Sequence, residues 1–281
     1  MKTTIQQVQD FKNNGTRFSM LTAYDYATAR IIDRAGIPLI LVGDSLGMVV
    51  LGYDSTIPVT MDEMVHHTKA VVRGVEKAMV IADMPFMTYN INVEETLRNA
   101  ARFIQEAGAQ AVKLEGGVTV ADKVRKLVDC GIPVMGHIGL TPQSVNQLSG
   151  YKVQGRSPET AKKLLADARA LEAAGAFAIV LETMPSELSA FISSKIGIPT
   201  IGIGAGVGCD GQVQVISDLL GLFTDFVPKH ARQYAKLADI ITDAVIAYAD
   251  DVKNGTFPTG QQSFDMDTSV IETLRQEDDN T

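Results

Sequence analysis

Residues 34–45 read RAGIPLILVGDS, and this stretch holds the unit from which the fold is predicted. Gly36 ends a helical segment, because glycine readily takes the left-handed conformation that stops a helix. Pro38 then restricts the residue before it to extended backbone. Leu39–Val42 follow as an apolar run without polar alternation, and the run stops at Asp44 and Ser45. The same punctuation recurs in EAGAQAV (106–112), DCGIPVM (129–135), AAGAFAI (173–179) and KIGIPTI (195–201). Five copies of one helix-to-strand junction predict a repeated βα unit. Strands that are apolar on both faces belong to a parallel sheet covered by helices.

Eight strands are predicted: FSMLTAY (18–24), IPLILVGD (37–44), AMVIADM (78–84), AVKLEG (111–116), IPVMGHIG (132–139), AFAIVLE (176–182), IPTIGIG (198–204) and DFVPKH (225–230). Amphipathic segments lie between them, most clearly 93–108 and 157–175, with apolar residues three and four apart. Ser157 and Pro158 supply an N-cap and a first-turn proline for the second of these. The predicted fold class is α/β, a (β/α)₈ TIM barrel; a doubly wound open sheet is the alternative. One barrel domain is expected over residues 1–261, with residues 1–17 as a helical lead-in capping its bottom. Residues 262–281, acidic and polar, are expected to form a flexible tail.

The chain has 281 residues, a length that α/β barrels reach as one domain. Its net charge of −8 argues against nucleic acid or an anionic membrane as partner. No apolar run approaches the ~20 residues of a membrane span, and MKTTIQQVQDFKNNG lacks the apolar core of a signal peptide. A cytoplasmic protein is expected. Cys130 and Cys209 are too few for a disulfide framework.

A buried strand has no use for a carboxylate in its body, yet acidic and polar residues recur where these runs end. A barrel enzyme places its chemistry at the downstream ends of several strands. Asp44 and Asp83 end the second and third predicted strands, and Glu115 ends the fourth. Three carboxylates converging on one mouth repel by about 4 kcal/mol per close pair at an effective dielectric near 20. A proton or a cation must intervene. Oxygen donors without a Cys or His cluster favour Mg²⁺ over Zn²⁺. Asp44 and Asp83 are therefore expected as direct ligands, with Glu115 bound directly or through water. Taken singly, each aspartate also reads as a turn cap.

Lys113 lies two residues before Glu115, so both share one strand face. There Lys113 can meet a substrate carboxylate; a Schiff-base role is the second reading, which nearby acids weaken by holding it charged. Glu182 ends the sixth strand, across the barrel from the cation, and is suited to removing a substrate proton. His137 ends the fifth and can hydrogen-bond a substrate oxygen. Ser45 offers a hydroxyl and a backbone N–H to a carboxylate. The glycine run 202–208 does not open a Rossmann unit and reads as pocket wall. A barrel without catalysis, acting as a binding or assembly protein, is the reading from a different class.

At these residues the chain resembles the ketopantoate (3-methyl-2-oxobutanoate) hydroxymethyltransferase family. The resembling segments run in order: MLTAYDYATA (20–29), VGDSLGMVVLGYDSTIPVTMDEM (42–64), IADMPF (81–86), VKLEGG (112–117), MGHIGLTPQS (135–144), YKVQGR (151–156), VLETMP (180–185), IGIGAG (201–206) and CDGQVQVISDLLG (209–221). The acidic tail and small changes within LSGYKVQGR depart from the pattern without touching a candidate site residue. The resemblance implies a barrel of the phosphoenolpyruvate/isocitrate-lyase type. It implies transfer of a one-carbon unit from 5,10-methylenetetrahydrofolate to 3-methyl-2-oxobutanoate, giving ketopantoate for pantothenate synthesis through an enolate stabilised by one Mg²⁺ per subunit. Carried onto this chain, Asp44 and Asp83 bind Mg²⁺ and touch the keto acid, Glu115 completes the metal site, Ser45 and Lys113 hold the substrate, and Glu182 accepts the proton. The family is built as a decameric homo-oligomer.

Overall fold

A computed structural model describes residues 2–280. Eight parallel strands pair in sequence order and close on themselves: β1 (Phe18–Thr22), β2 (Leu39–Val42), β3 (Met79–Asp83), β4 (Ala111–Glu115), β5 (Val134–Gly139), β6 (Ala178–Glu182), β7 (Thr200–Ile203) and β8 (Gly211–Gln214). The predicted (β/α)₈ barrel is the observed fold. Its helices are α1 (Ile5–Asn13), α2 (Tyr26–Arg34), α3 (Leu46–Val49), α4 (Met61–Gly74), α5 (Val93–Ala101), α6 (Ala121–Asp129), α7 (Val145–Leu148), α8 (Pro158–Ala173), α9 (Ser186–Lys195) and α10 (Ile216–Leu219). No helix among the described residues is long and apolar enough to cross a membrane.

Local signals set these elements. Reciprocal capping boxes start α1 at Thr4 and Gln7, α4 at Thr60 and Glu63, and α8 at Ser157 and Thr160. The junction glycines Gly36, Gly108, Gly131 and Gly175 take φ between 78° and 94°, as the repeat predicts. Gly197 in the fifth copy does not; its N–H instead donates to Glu172 Oε1 at 2.5 Å.

Each strand divides its residues between two apolar layers. Outward residues such as Ile40, Val80, Val112, Ile179 and Leu181 pack beneath the helices. Inward residues, among them Met20, Leu39, Leu41, Met79, Ile81, Ala111, Met135, Ala178, Val180, Ile201 and Val213, fill the barrel. Val8 of α1, fully buried, belongs to this inner layer and Phe11 packs against it, so this helix covers the barrel floor.

The eighth strand differs from its predicted position. DFVPKH (225–230) is bend and turn, and the ring closes through GQVQ, whose Val213 registers with Met20 and whose Gly211 registers with Ile201. Pro228 has no N–H for a ladder, whereas GQVQ is too short and polar to stand out as a buried run. As a consequence the glycine run is itself the β7–β8 crossover and carries no helix. A Cβ on Gly206 would come within 2.5 Å of Ser186 Cβ, and one on Gly208 within 2.5 Å of Ala190 Cβ. The bare backbone lies directly on α9, and this close approach lets a short segment replace a helical crossover.

The compact units of the chain divide between Tyr234 and Ala235, not at residue 261. The barrel strands end at Gln214, so the chain beyond Tyr234 adds nothing to the ring. The second unit holds α11 (Leu237–Asn254), stopped by Gly255 at φ 70°, and α12 (Thr268–Asp278), N-capped by Asp267. Most of the acidic segment 262–281, expected as a tail, is thus helical.

Gly139, at the end of β5, has φ 97°, and a Cβ there would lie 2.2 Å from the Glu182 carbonyl oxygen. Gly139→Ala is expected to lower unfolding free energy by about 2–4 kcal/mol in urea titrations. Gly15→Ala, at φ 64° with open space around it, is expected to lose only about 1 kcal/mol.

Candidate active site

The inward parity that carries Met79 and Ile81 into the core carries Asp83 to the barrel mouth. Ala111, Lys113 and Glu115 share one face of β4, and Met135 and His137 share one face of β5. The register then aligns them: Asp83 pairs with Lys113, and Glu115 with His137. Glu182 ends β6 beside Gly139. Asp44 and Ser45 follow β2 at the start of α3. All seven residues line one cavity of about 810 Å³ at the C-terminal end of the strands, so the structure gathers every residue nominated from sequence.

The geometry ties these groups together. Lys113 Nζ donates to Asp83 Oδ1 at 2.5 Å, and the Asp44 backbone N–H donates to Asp83 Oδ2 at 3.2 Å. Lys113 therefore pairs with Asp83, not with Glu115. His137 stands between two carboxylates, with Nδ1 3.5 Å from Glu115 Oε1 and Nε2 3.3 Å from Glu182 Oε2. Both ring nitrogens are buried and lack a hydrogen-bond partner. Ser45 Oγ lies 2.9 Å from the Tyr24 hydroxyl. Gly43 leaves room for this hydroxyl, because a Cβ there would meet Ser45 Oγ at 2.8 Å and make it move.

Two residues that sequence reasoning missed hold the cluster in place. Gln143, buried after β5, donates from Nε2 to Asp44 Oδ2 at 2.8 Å and to the Met84 carbonyl at 3.0 Å. Its backbone N–H donates to Glu115 Oε2 at 3.0 Å. The buried Tyr89 hydroxyl donates to Gln143 Oε1 at 2.6 Å and accepts from the Glu115 N–H at 3.3 Å. Gln143 thus binds two carboxylates, and the Tyr89 phenol ties its amide to the β4 backbone. Gln143 lies within GLTPQS, where it reads as an ordinary loop residue; only its burial reveals the role.

Burial, reinforced by the Asp83 charge, pushes the Asp44 carboxyl up to about 7. Burial and the Asp44 charge hold Glu115 well above the usual carboxylate range. Burial opposes the Lys113 ammonium, but Asp83, Glu115 and Asp44 more than offset it and hold its pKa above the ordinary value. A Schiff-base nucleophile needs a neutral amine, so this setting disfavours that reading.

The donor set fits a hard divalent cation. It is all oxygen, deeply buried, and carries more negative charge than Lys113 balances. Among the described residues no three His, Cys, Asp or Glu side chains stand together as a preformed metal cluster. Magnesium needs only one or two protein carboxylates and keeps waters or substrate oxygens.

The family profile for ketopantoate hydroxymethyltransferase matches residues 2–260. The 3-methyl-2-oxobutanoate hydroxymethyltransferase of Dehalococcoides mccartyi (strain ATCC BAA-2100 / JCM 16839 / KCTC 5957 / BAV1) is 68% identical over 98% of this chain and 99% of its own length. That of Chloroflexus aurantiacus (strain ATCC 29366 / DSM 635 / J-10-fl) is 61% identical over 96% of each chain. Among solved structures, phosphonopyruvate hydrolase superposes with a TM-score of 0.61 at 13% identity, covering 100% of this chain and 97% of that one. The 2,3-dimethylmalate lyase of the PEP mutase/isocitrate lyase superfamily gives 0.58 at 17%, covering 98% and 100%. These two show the fold alone.

An acid held above its ordinary pKa keeps its proton better folded than unfolded. It favours the folded state at low pH and loses that contribution as pH rises through the folded value. Metal-free protein is expected to lose unfolding free energy between about pH 4 and 7, the interval from the ordinary Asp value of 3.8 to about 7. Urea titrations in EDTA should show a shallower decline for Asp44→Asn; an unchanged slope would remove Asp44 as its source. Profile, relatives and barrel agree: the chain belongs to the ketopantoate hydroxymethyltransferase family.

Proposed function

We propose that this protein transfers a hydroxymethyl group from 5,10-methylenetetrahydrofolate to 3-methyl-2-oxobutanoate, forming ketopantoate for pantothenate biosynthesis. The carrying observation is the buried array of Asp44, Asp83, Lys113, Glu115 and His137 on one cavity wall, with Glu182 at its edge, in a chain of this family. Asp44 and Asp83 would hold one Mg²⁺. Glu115, whose oxygens face Gln143 N–H and His137, keeps lone pairs that would complete the site directly or through water. A neighbour of the same fold was solved with oxalate and Mg²⁺, which is consistent with this assignment. Bound Mg²⁺ supplies Lewis-acid stabilisation of the negative charge that develops on the keto oxygen.

The remaining steps belong to side chains. An ammonium has three donors; Lys113 spends one on Asp83 and offers another to the keto acid's carboxylate, with the Ser45 hydroxyl beside it. Glu182, with its side chain 15% exposed, faces the substrate while keeping a path for the proton. It removes the proton from C3, the electron pair moves toward the keto oxygen, and C3 then attacks the methylene carbon. The methylene carbon's two bonds to folate nitrogens break, water supplies the hydroxyl oxygen, and the C3 proton and one water proton pass to those nitrogens as the carrier leaves as tetrahydrofolate. His137, between Glu115 and Glu182, donates to a substrate oxygen. The protein acts in the cytoplasm as a homo-oligomer, a decamer in the family's pattern, with no nucleic-acid or membrane partner.

Glu182→Gln is expected to lower kcat by at least about 100-fold, while the affinity for Mn²⁺, read by electron paramagnetic resonance, stays within twofold. Wild-type turnover in that variant removes Glu182 from the mechanism. Exhaustive EDTA treatment should abolish turnover and Mg²⁺ restore it; borohydride trapping of substrate on Lys113 would instead support the Schiff-base route.

A further inference from the structure

The cavity has a second polar wall that the chemistry above does not use. It is formed by the end of β8 and the chain that follows, where Gln214 and Asp218 line the same space as the carboxylate array. Asp218 is 7% exposed, and among the described residues its carboxylate has neither a hydrogen bond nor an ion pair. Gln214 Oε1 is buried and likewise lacks a partner. A buried acceptor without a donor costs roughly 1–3 kcal/mol. Gln214 Oε1 is such an acceptor, and together with the unpaired Asp218 carboxylate lining the same cavity it points to a ligand that brings donors. Burial pushes the Asp218 carboxyl upward, against the nearby charge of His230, which fits a group that has lost its water.

The keto acid cannot be that ligand. Its carboxylate and keto oxygens only accept hydrogen bonds, so they would repel Asp218 and leave Gln214 Oε1 unsatisfied. A short branched acid also leaves most of an 810 Å³ cavity empty. The second substrate differs on both counts. The pterin ring of a reduced folate carries a ring N–H and an exocyclic amino group side by side. That edge presents a carboxylate with the same two parallel donors as a guanidinium. The ring is flat as well, and the cavity carries aromatic side chains: Phe223 and Phe226 meet edge to face at 5.7 Å, and Tyr151 lines the same space. Aromatic faces of this kind take a planar ring by stacking.

We propose that Asp218 and the Gln214 carboxamide oxygen form the pterin-recognition site, with Asp218 accepting the paired donors and Phe223 and Tyr151 covering the ring. This rests on the reading that a reduced folate is the one-carbon donor. Bound so, the pterin occupies the β8 side of the cavity while the keto acid occupies the β2–β5 side, and the carbon to be transferred lies between them.

Calorimetric titration of tetrahydrofolate and of 3-methyl-2-oxobutanoate into the Mg²⁺-loaded protein tests the site. Asp218→Asn turns one acceptor into a donor and should weaken tetrahydrofolate by about 10- to 100-fold, with the keto acid's Kd moving less than twofold. Gln214→Leu should weaken tetrahydrofolate alone, by a smaller factor. A tetrahydrofolate analogue with methyl in place of the 2-amino group should bind wild type and Asp218→Asn alike. Equal tetrahydrofolate binding by wild type and Asp218→Asn overturns the site, as does equal loss of both ligands in the two variants. Wild-type protein that binds the keto acid but no tetrahydrofolate overturns the folate reading itself.

Discussion

Three carboxyls, from Asp44, Asp83 and Glu115, are buried around one ammonium, that of Lys113, and the rest of the site follows from that imbalance. Removing an ion from water costs several kcal/mol even after relaxation. The structure meets this cost in three ways. Lys113 pairs directly with Asp83. Gln143 spends its amide and backbone N–H on Asp44 and Glu115. Asp44 and Glu115 are held toward their protonated forms by burial and mutual repulsion. Protonation removes the surplus only at low pH, and the Asp44 charge returns as pH rises through about 7. A dication can balance it there, and in the proposed chemistry the same surplus that destabilises the metal-free mouth becomes affinity for the ion.

Only a closed ring of parallel strands makes such a cluster from residues so distant in sequence. Asp83, Lys113, Glu115 and His137 come from three consecutive strands, each on the inward parity and each within a pair of registered neighbours. A slip of one residue in any of them would send its side chain beneath the helices. The tight inner layer of Met, Leu, Ile and Val fixes that register, and α1 seals its floor with Val8. Packing well below the mouth is thus what aims the charged groups above it.

The parts legible in sequence were those encoded by local pattern. The helix–glycine–strand junction marked the repeat, and the two-residue spacing of Lys113 and Glu115 placed both on one face. Asp44, Asp83 and Glu182 stood out because charges end several apolar runs, a recurrence that a turn cap at any one of them does not explain. The misses share a cause as well. GQVQ is a strand because β1 and β7 present open edges on either side of it, and the β1 edge lies at the far end of the barrel sequence. Gln143, Tyr89 and Asp218 look like common loop residues until burial shows that each must satisfy, or be satisfied by, a distant partner. Hydrogen-bond supply is a property of the assembled site, and no window of sequence contains it.

Phosphonopyruvate hydrolase and 2,3-dimethylmalate lyase share this barrel at 13% and 17% identity, so the strand ring does not by itself choose a reaction. A two-substrate synthesis needs more than an anion-binding floor, because a second ligand must be held against the first without competing for its contacts. Polarity can keep them apart. The β2–β5 side offers an ammonium, a hydroxyl and, in the proposed chemistry, a cation, all of which attract acceptors. The wall at the end of β8 and beyond offers Asp218 and Gln214 Oε1, which attract donors. Each wall rejects the other's ligand by leaving like against like. In a buried cavity such mismatches are worth more than a missing contact. Charge segregation around one mouth would therefore set both the order of the two substrates in space and the direction in which the carbon moves.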